Sequence, residues 1–229
     1  MIRYKKREPS PFSSKKRVAI TFDDGPNGEY TLKIVDILAK YRLKATFFLL
    51  GANVLKFPKI ARKIAKKGHI IGNHTYSHKH LKRLSSRAVL RQIERSEEVF
   101  KEVLGIRPKY LRPPYGEYTK RIEKIVRRKG HKLINWDVDA KDWKNPSSKV
   151  IAERILSKVA DGSIILLHDG ANIRIGESRR NTVNALPLIV RGLRQKGFKI
   201  VSLDEIASSP EPNFARTRCA YKFGSGSPQ

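Results

Sequence analysis

Five polar clusters carry the residue types that acid, base and metal chemistry need: Asp23-Asp24, His74 to His78, Arg112 to Gly116, Asp139 to Trp143 and His168-Asp169. His74 and His78 place two imidazoles four positions apart, near enough on one turn to hold a single ion. A carboxylate must complete such a set. Asp24 can supply it, with Asp23 left over as a general base. A zinc-peptidase helix would carry Glu after its first histidine, but Thr75 stands there, so the base has to come from elsewhere. Neighbours on an extended chain face opposite sides, so a pair serving one site implies a turn at Gly25-Pro26. Taken singly these patterns stay open. Asp-Asp after a strand is commonly a turn or a helix cap, and a two-histidine, one-carboxylate set also holds non-haem iron in oxygenases.

The elements that must position these clusters alternate between short apolar runs and longer amphipathic stretches, the order of β/α units around a parallel sheet. Seven strand candidates are Val18-Phe22, Ala45-Leu50, His69-Asn73, Tyr110-Arg112, Lys132-Trp136, Ser163-Leu167 and Lys199-Leu203. Helical candidates run near Tyr30-Tyr41, Pro58-Lys67, Ser85-Leu104, Tyr118-Lys129, Ser147-Val159 and Asn181-Gln195, several opened by Ser, Thr or Pro. Each polar cluster follows a strand's C-terminal end, and in a parallel β/α barrel those ends converge on one mouth. The expectation is an α/β fold, a distorted (β/α)7-type barrel. An open doubly wound sheet ranks second, and no Gly-x-Gly-x-x-Gly follows the first strand to support a dinucleotide site.

The chain of 229 residues is long enough for one sizeable core. Residues 1–16 and 208–229 read as tails rich in Pro, Ser, Gly or basic residues, which leaves one folded domain over 17–207. The segment Met1 to Arg17 is basic but lacks the apolar centre of a secretory signal peptide. No apolar run approaches the roughly 18 residues needed to span a membrane. With Cys219 as the sole cysteine, an internal disulfide and a cysteine-based metal cluster are both excluded. The net charge of +28 predicts attraction to polyanions without choosing among nucleic acid, anionic lipid and an anionic wall polymer.

Five segments, Thr21 to Pro26, His74 to His78, Arg112 to Gly116, Asp139 to Trp143 and Leu166 to His168, resemble in this order the five motifs of the NodB-homology polysaccharide deacetylases, carbohydrate esterase family 4. The resemblance covers about Arg17 to Ala207. It implies a distorted β/α barrel and hydrolysis of the N-acetyl group of N-acetylglucosamine units in a glycan of peptidoglycan or chitin type. It implies Asp23 as catalytic base and Asp24, His74 and His78 as ligands of one divalent metal, zinc or cobalt. Arg112 would orient Asp23, the backbone N–H of Tyr115 would help hold the oxyanion, and His168, tuned by Asp142, would be the general acid. Trp143 and Leu166 would line the pocket for the acetyl methyl, with Pro113 and Tyr115 beside the substrate. The chemistry fits these parts. An amide carbonyl is a poor electrophile, and a bound metal both polarises it and brings the pKa of water from 15.7 down to about 7. The leaving amine needs a proton from an acid that is cationic near neutral pH, a role suited to histidine.

Two other classes compete with this reading. A nucleic-acid-binding protein would explain the charge, yet no helix-turn-helix, zinc-finger or RNP-like pattern is present and the basic residues are spread along the chain. An inactive carbohydrate-binding module would not need base, metal triad and acid together. The partners expected are an N-acetylated glycan and an anionic cell-wall polymer, with no specific nucleic acid. The family implies a location outside the cytoplasm or at the wall, while the missing signal peptide leaves a cytoplasmic one open. His69, His80 and His131 read as surface or packing histidines, and Trp136, Phe47 and Phe48 as core.

Overall fold

Every strand pairing in the computed structural model is parallel, and the model describes residues 16–172 and 177–208. The strands are β1 (Arg17–Asp23), β2 (Thr46–Leu49), β3 (Ile70–Asn73), β4 (Tyr110–Leu111), β5 (Lys132–Leu133), β6 (Val138–Asp139), β7 (Ser163–His168) and β8 (Lys199–Val201). The helices are α1 (Gly28–Lys40), α2 (Gly51–Lys56), α3 (Pro58–Lys66), α4 (Ser86–Leu104), α5 (Lys120–Arg128), α6 (Ser148–Leu156), α7 (Arg180–Gln195) and α8 (Leu203–Ala207). The proposed tails and Cys219 lie outside the described residues, apart from Lys16 and Ser208.

The sheet runs β5-β4-β3-β2-β1-β7-β6, with β8 against β1. One edge of β1 is divided: Arg17 to Ala19 pair with β8, and Thr21 to Asp23 pair with β2. The other edge pairs with β7 along Val18 to Asp23. The strands thus curl into an incomplete barrel, as the (β/α)7-type expectation had it. An eighth strand was missed. β6 has two residues, too few to show a period of two, and it is held only by pairing with Ile165 and Leu166. The segment given as strand to Leu203 ends at Val201, because Ser202 instead caps α8 in a reciprocal capping box with Glu205. α2 was also missed, since Gly51 and Asn53 in its first turn read as loop residues.

The pleat of β1 sorts its side chains. Val18, Ile20 and Phe22 join the larger core with Phe47, Ile34 and Leu186. Ala19 belongs to the second cluster with Phe48, Tyr110 and Ile134. Thr21 and Asp23 follow Ala19 at the spacing of two, so they share its face. That face opens at the strands' C-terminal ends, where β1, β3, β4, β6 and β7 deliver the five polar clusters.

Candidate active site

Asp23 is the last residue of β1 and is 3% exposed. Its Oδ1 accepts a hydrogen bond from Arg112 Nη1 at 2.7 Å. Arg112, which follows β4, is completely buried and extends under the mouth. It donates also to Thr21 Oγ1 at 2.8 Å, to the Ile134 carbonyl at 3.3 Å and to the Asn135 carbonyl at 3.0 Å. Its guanidinium lies 4.0 Å from the centre of the Phe48 ring. A fork with this many fixed acceptors has one orientation, so the Asp23 carboxylate has one too.

Asp24 points to the same mouth because its backbone turns through φ 75°, the left-handed region that Asp tolerates better than most residues. The loop after β7 packs closely on this turn. A Cβ on Gly25 would fall 2.0 Å from Asp169 Oδ2, and one on Gly170 would fall 2.2 Å from the Asp24 carbonyl oxygen, so both positions exclude a side chain. Asn53 of α2 donates to that carbonyl at 2.8 Å, and the Asn172 backbone N–H donates to Asp24 Oδ2 at 3.1 Å. The other oxygen, Oδ1, is buried and accepts no hydrogen bond among the described residues. It sits 3.4 Å from His74 Nε2 and 3.2 Å from His78 Nε2.

Those distances test the fit to a metal. Donors about 2.0–2.1 Å from a tetrahedral ion lie ~3.3 Å apart, and the candidate donor atoms of Asp24, His74 and His78 are all within 4.8 Å of one another. Nδ1 of His74 is 2.8 Å from the Arg112 carbonyl, which can only accept. The His74 proton is thus on Nδ1, and Nε2 turns its lone pair to the cluster. Burial brings the His78 imidazole down to about 4 against the pull of Asp24, so that ring is neutral, the ligating form, at pH 7. Two imidazole nitrogens converging on a buried carboxylate oxygen that accepts no hydrogen bond among the described residues fit one divalent cation.

His168, at the end of β7, stands across the mouth. Its Nδ1 is 2.8 Å from Asp142 Oδ1, while Asp142 Oδ2 accepts from the His168 backbone N–H and from Thr182 Oγ1, each at 2.8 Å. Burial alone would lower this imidazole. Asp142 outweighs it and, with Asp24 and Asp23, pushes His168 up to about 9. Asp142 in turn is held below the usual carboxylate range, because His168 outweighs the opposing effect of burial.

Tyr115 adopts φ 62° and ψ 7°, and its ring is 47% exposed. It meets His78 edge-on at 4.7 Å and stacks on His80 at 3.6 Å with 4° between the planes. His80 is thus a packing histidine, and what it packs on is the mouth: its partner Tyr115 lies 35 positions away in sequence. Pro113 and Leu166 are buried, Leu166 beside Thr21 in the β1–β7 register. Trp143 follows Asp142 and is 49% exposed. His69 and His131 are buried packing residues, as read. Asp169 had no assigned role. Its carboxyl, pushed up to about 7 by burial, accepts from Thr31 Oγ1 at 2.6 Å and ties α1 to the turn beneath Asp24.

The sequence family described as polysaccharide deacetylase matches residues 12–134, more than half of the chain. This chain belongs to the polysaccharide deacetylase family. Relatives extend the match past that segment. A peptidoglycan-N-acetylglucosamine deacetylase of Bacillus cereus is 42% identical over 190 residues, 83% of this chain and 68% of that protein. An alignment of 190 residues in a chain of 229 must run past Asp142 and His168. The peptidoglycan-N-acetylmuramic acid deacetylase PdaC of Bacillus subtilis is 34% identical over 87% of this chain, which spans only 40% of its length. The solved PdaC structure superposes with a TM-score of 0.76, at 35% identity, over 85% of this chain and 91% of that one. A carbohydrate esterase family 4 pseudoenzyme of Bacillus anthracis superposes equally well, with a TM-score of 0.77 at 30% identity over 84% of this chain and 66% of that one. The deacetylase fold is thus secure here, and activity has to be argued from the side chains.

Proposed function

We propose that this deacetylase-family chain hydrolyses the N-acetyl group of N-acetylglucosamine units in peptidoglycan, releasing acetate and leaving a free amine. The observation that carries the reading is the convergence of Asp24, His74 and His78 between two separately supported groups, Asp23 on its arginine and His168 on its aspartate. Asp24, His74 and His78 would hold a divalent cation, zinc or cobalt, which would supply Lewis-acid polarisation of the amide carbonyl and acidify the attacking water. Asp23, aimed by Arg112, takes that water's proton. The Tyr115 backbone N–H, carried on a left-handed residue, stabilises the developing oxyanion. His168 protonates the departing nitrogen. Trp143 and Leu166 line the acetyl pocket, with Pro113 and Tyr115 beside the sugar.

The substrate follows from charge and kinship together. Relatives are named for N-acetylglucosamine and for N-acetylmuramic acid of peptidoglycan, and another, from Rhizobium leguminosarum, for chitooligosaccharides. The charge of +28 suits an anionic wall polymer better than a neutral oligosaccharide. Acetate release from purified peptidoglycan and from chitooligosaccharides, measured in parallel, should give the higher kcat/KM on peptidoglycan. A higher value on chitooligosaccharides would reverse the substrate assignment, and no acetate from either with metal-loaded protein would end the deacetylase reading.

The acid assignment has a pH signature. His168 must be protonated to donate, so kcat falls as pH rises through its pKa. Asp142 is what raises that pKa. Asp142→Asn should therefore move the alkaline limb of kcat about 1–3 pH units lower, the effect of losing an opposite charge in contact. An alkaline limb unmoved by the substitution would remove His168 from the role.

A further inference from the structure

How tightly a site holds a metal depends on what fixes the ligands as well as on the ligands themselves. Asp24 lies on the loop after β1, and His74 and His78 on the loop after β3. One short element grips both loops. At the start of α2 the Leu50 backbone N–H donates to the Gly25 carbonyl at 3.1 Å, while those of Gly51 and Ala52 donate to the Thr75 and Tyr76 carbonyls, each at 3.0 Å. A Cβ on Gly51 would lie 3.0 Å from the Tyr76 ring and 3.1 Å from Ser96, so this approach leaves little room for a side chain. The grip matters most at Thr75, whose φ of 72° is rare for a β-branched residue and persists where the surroundings impose it.

The Asn53 side chain extends the grip to a third loop. It is 3% exposed, and its Nδ2 donates to the Asp24 carbonyl at 2.8 Å and to the Asn172 carbonyl at 2.9 Å. Both partners can only accept, which fixes the way the amide points. The loop after β1 is thereby tied to the loop after β7. Asn172 closes a ring, because its backbone N–H donates to Asp24 Oδ2 at 3.1 Å. Asp24 is thus held at its carbonyl and at one carboxylate oxygen. The other, Oδ1, is left turned to His74 Nε2 at 3.4 Å and to His78 Nε2 at 3.2 Å.

We infer that Asn53 is a positioning residue for the metal: acting through Asp24, it fixes Oδ1 toward the two imidazoles and so sets how tightly the three residues hold a divalent cation. The inference rests on the metal reading of Asp24, His74 and His78. Without the ring the carboxylate would have to be ordered at the moment the ion binds, and affinity falls by the cost of that ordering.

The test reads zinc binding rather than acetate. Wild-type chain and Asn53→Ala, both stripped with a chelator, are titrated with zinc against a chromophoric competitor. Asn53→Ala should raise the zinc Kd by about 10–100-fold, the usual effect of removing a group that supports a metal ligand. The same substitution made in Asp24→Asn should change Kd by less than about threefold, because residues that act as one unit do not add. A merely structural asparagine would weaken binding by the same factor in both backgrounds. Asn53→Leu has nearly the outline of asparagine and no donor, so it repeats the measurement without opening a cavity. Circular dichroism of both stripped variants should match that of the wild type. An unchanged Kd in Asn53→Ala and Asn53→Leu, equal factors with and without the Asp24 carboxylate, or loss of the fold in both variants would overturn the proposal. Wild-type chain that binds no zinc would overturn the metal reading itself, and this proposal with it.

Discussion

Asp23→Asn should leave the protein able to take up one divalent ion per chain and lower kcat by about 10^2–10^4-fold, the usual contribution of a general base. Arg112 holds Asp23 Oδ1, and Oδ2 lies 3.8 Å from His74 Nε2, toward the metal ligands rather than among them. An amide in that place keeps the shape of the side chain and cannot accept the water's proton. Asp24→Asn should fail differently. Its Oδ1 is the atom that both histidine Nε2 atoms approach, so its loss is a defect of occupancy. Excess zinc or cobalt should partly restore Asp24→Asn and leave Asp23→Asn inactive. Metal content and kcat, measured for both variants across a metal titration, separate the cases. Equal rescue of the two, or equal loss of metal, would show that the adjacent carboxylates do not divide the work in this way.

The sequence carried the barrel because each long strand keeps its own signal. Val18 to Phe22 and Ser163 to Leu167 are apolar runs bounded by polar residues, and the helices between them open on Ser85, Thr119 and Ser147, whose side chains accept from the first-turn N–H groups of α4, α5 and α6. β6 had no such signal, since its existence rests on pairing with β7. The turn foreseen at Gly25-Pro26 is there in the left-handed backbone of Asp24. The support beneath it was illegible, because the Thr31–Asp169 hydrogen bond joins residues 138 positions apart and nothing local marks either. The same holds for Arg112. Its motif gave the contact to Asp23, but its bonds to Thr21 and to the carbonyls of Ile134 and Asn135 depend on how three strands converge. The place of His80 is illegible for a related reason: the Tyr115 ring it packs on is brought to it only by the fold.

The claim that joins these residues is that acetate release needs an ion on Asp24, His74 and His78. Strip the protein with a chelator, verify by elemental analysis that no metal remains, and assay acetate from peptidoglycan before and after one equivalent of zinc or cobalt is returned. The stripped protein should release acetate only at background, because an amide carbonyl attacked by unassisted water, of pKa 15.7, is almost inert on the assay's timescale. Activity should return in step with occupancy and level off at one ion per chain. Full acetate release from protein shown to be metal-free would contradict the account at its centre.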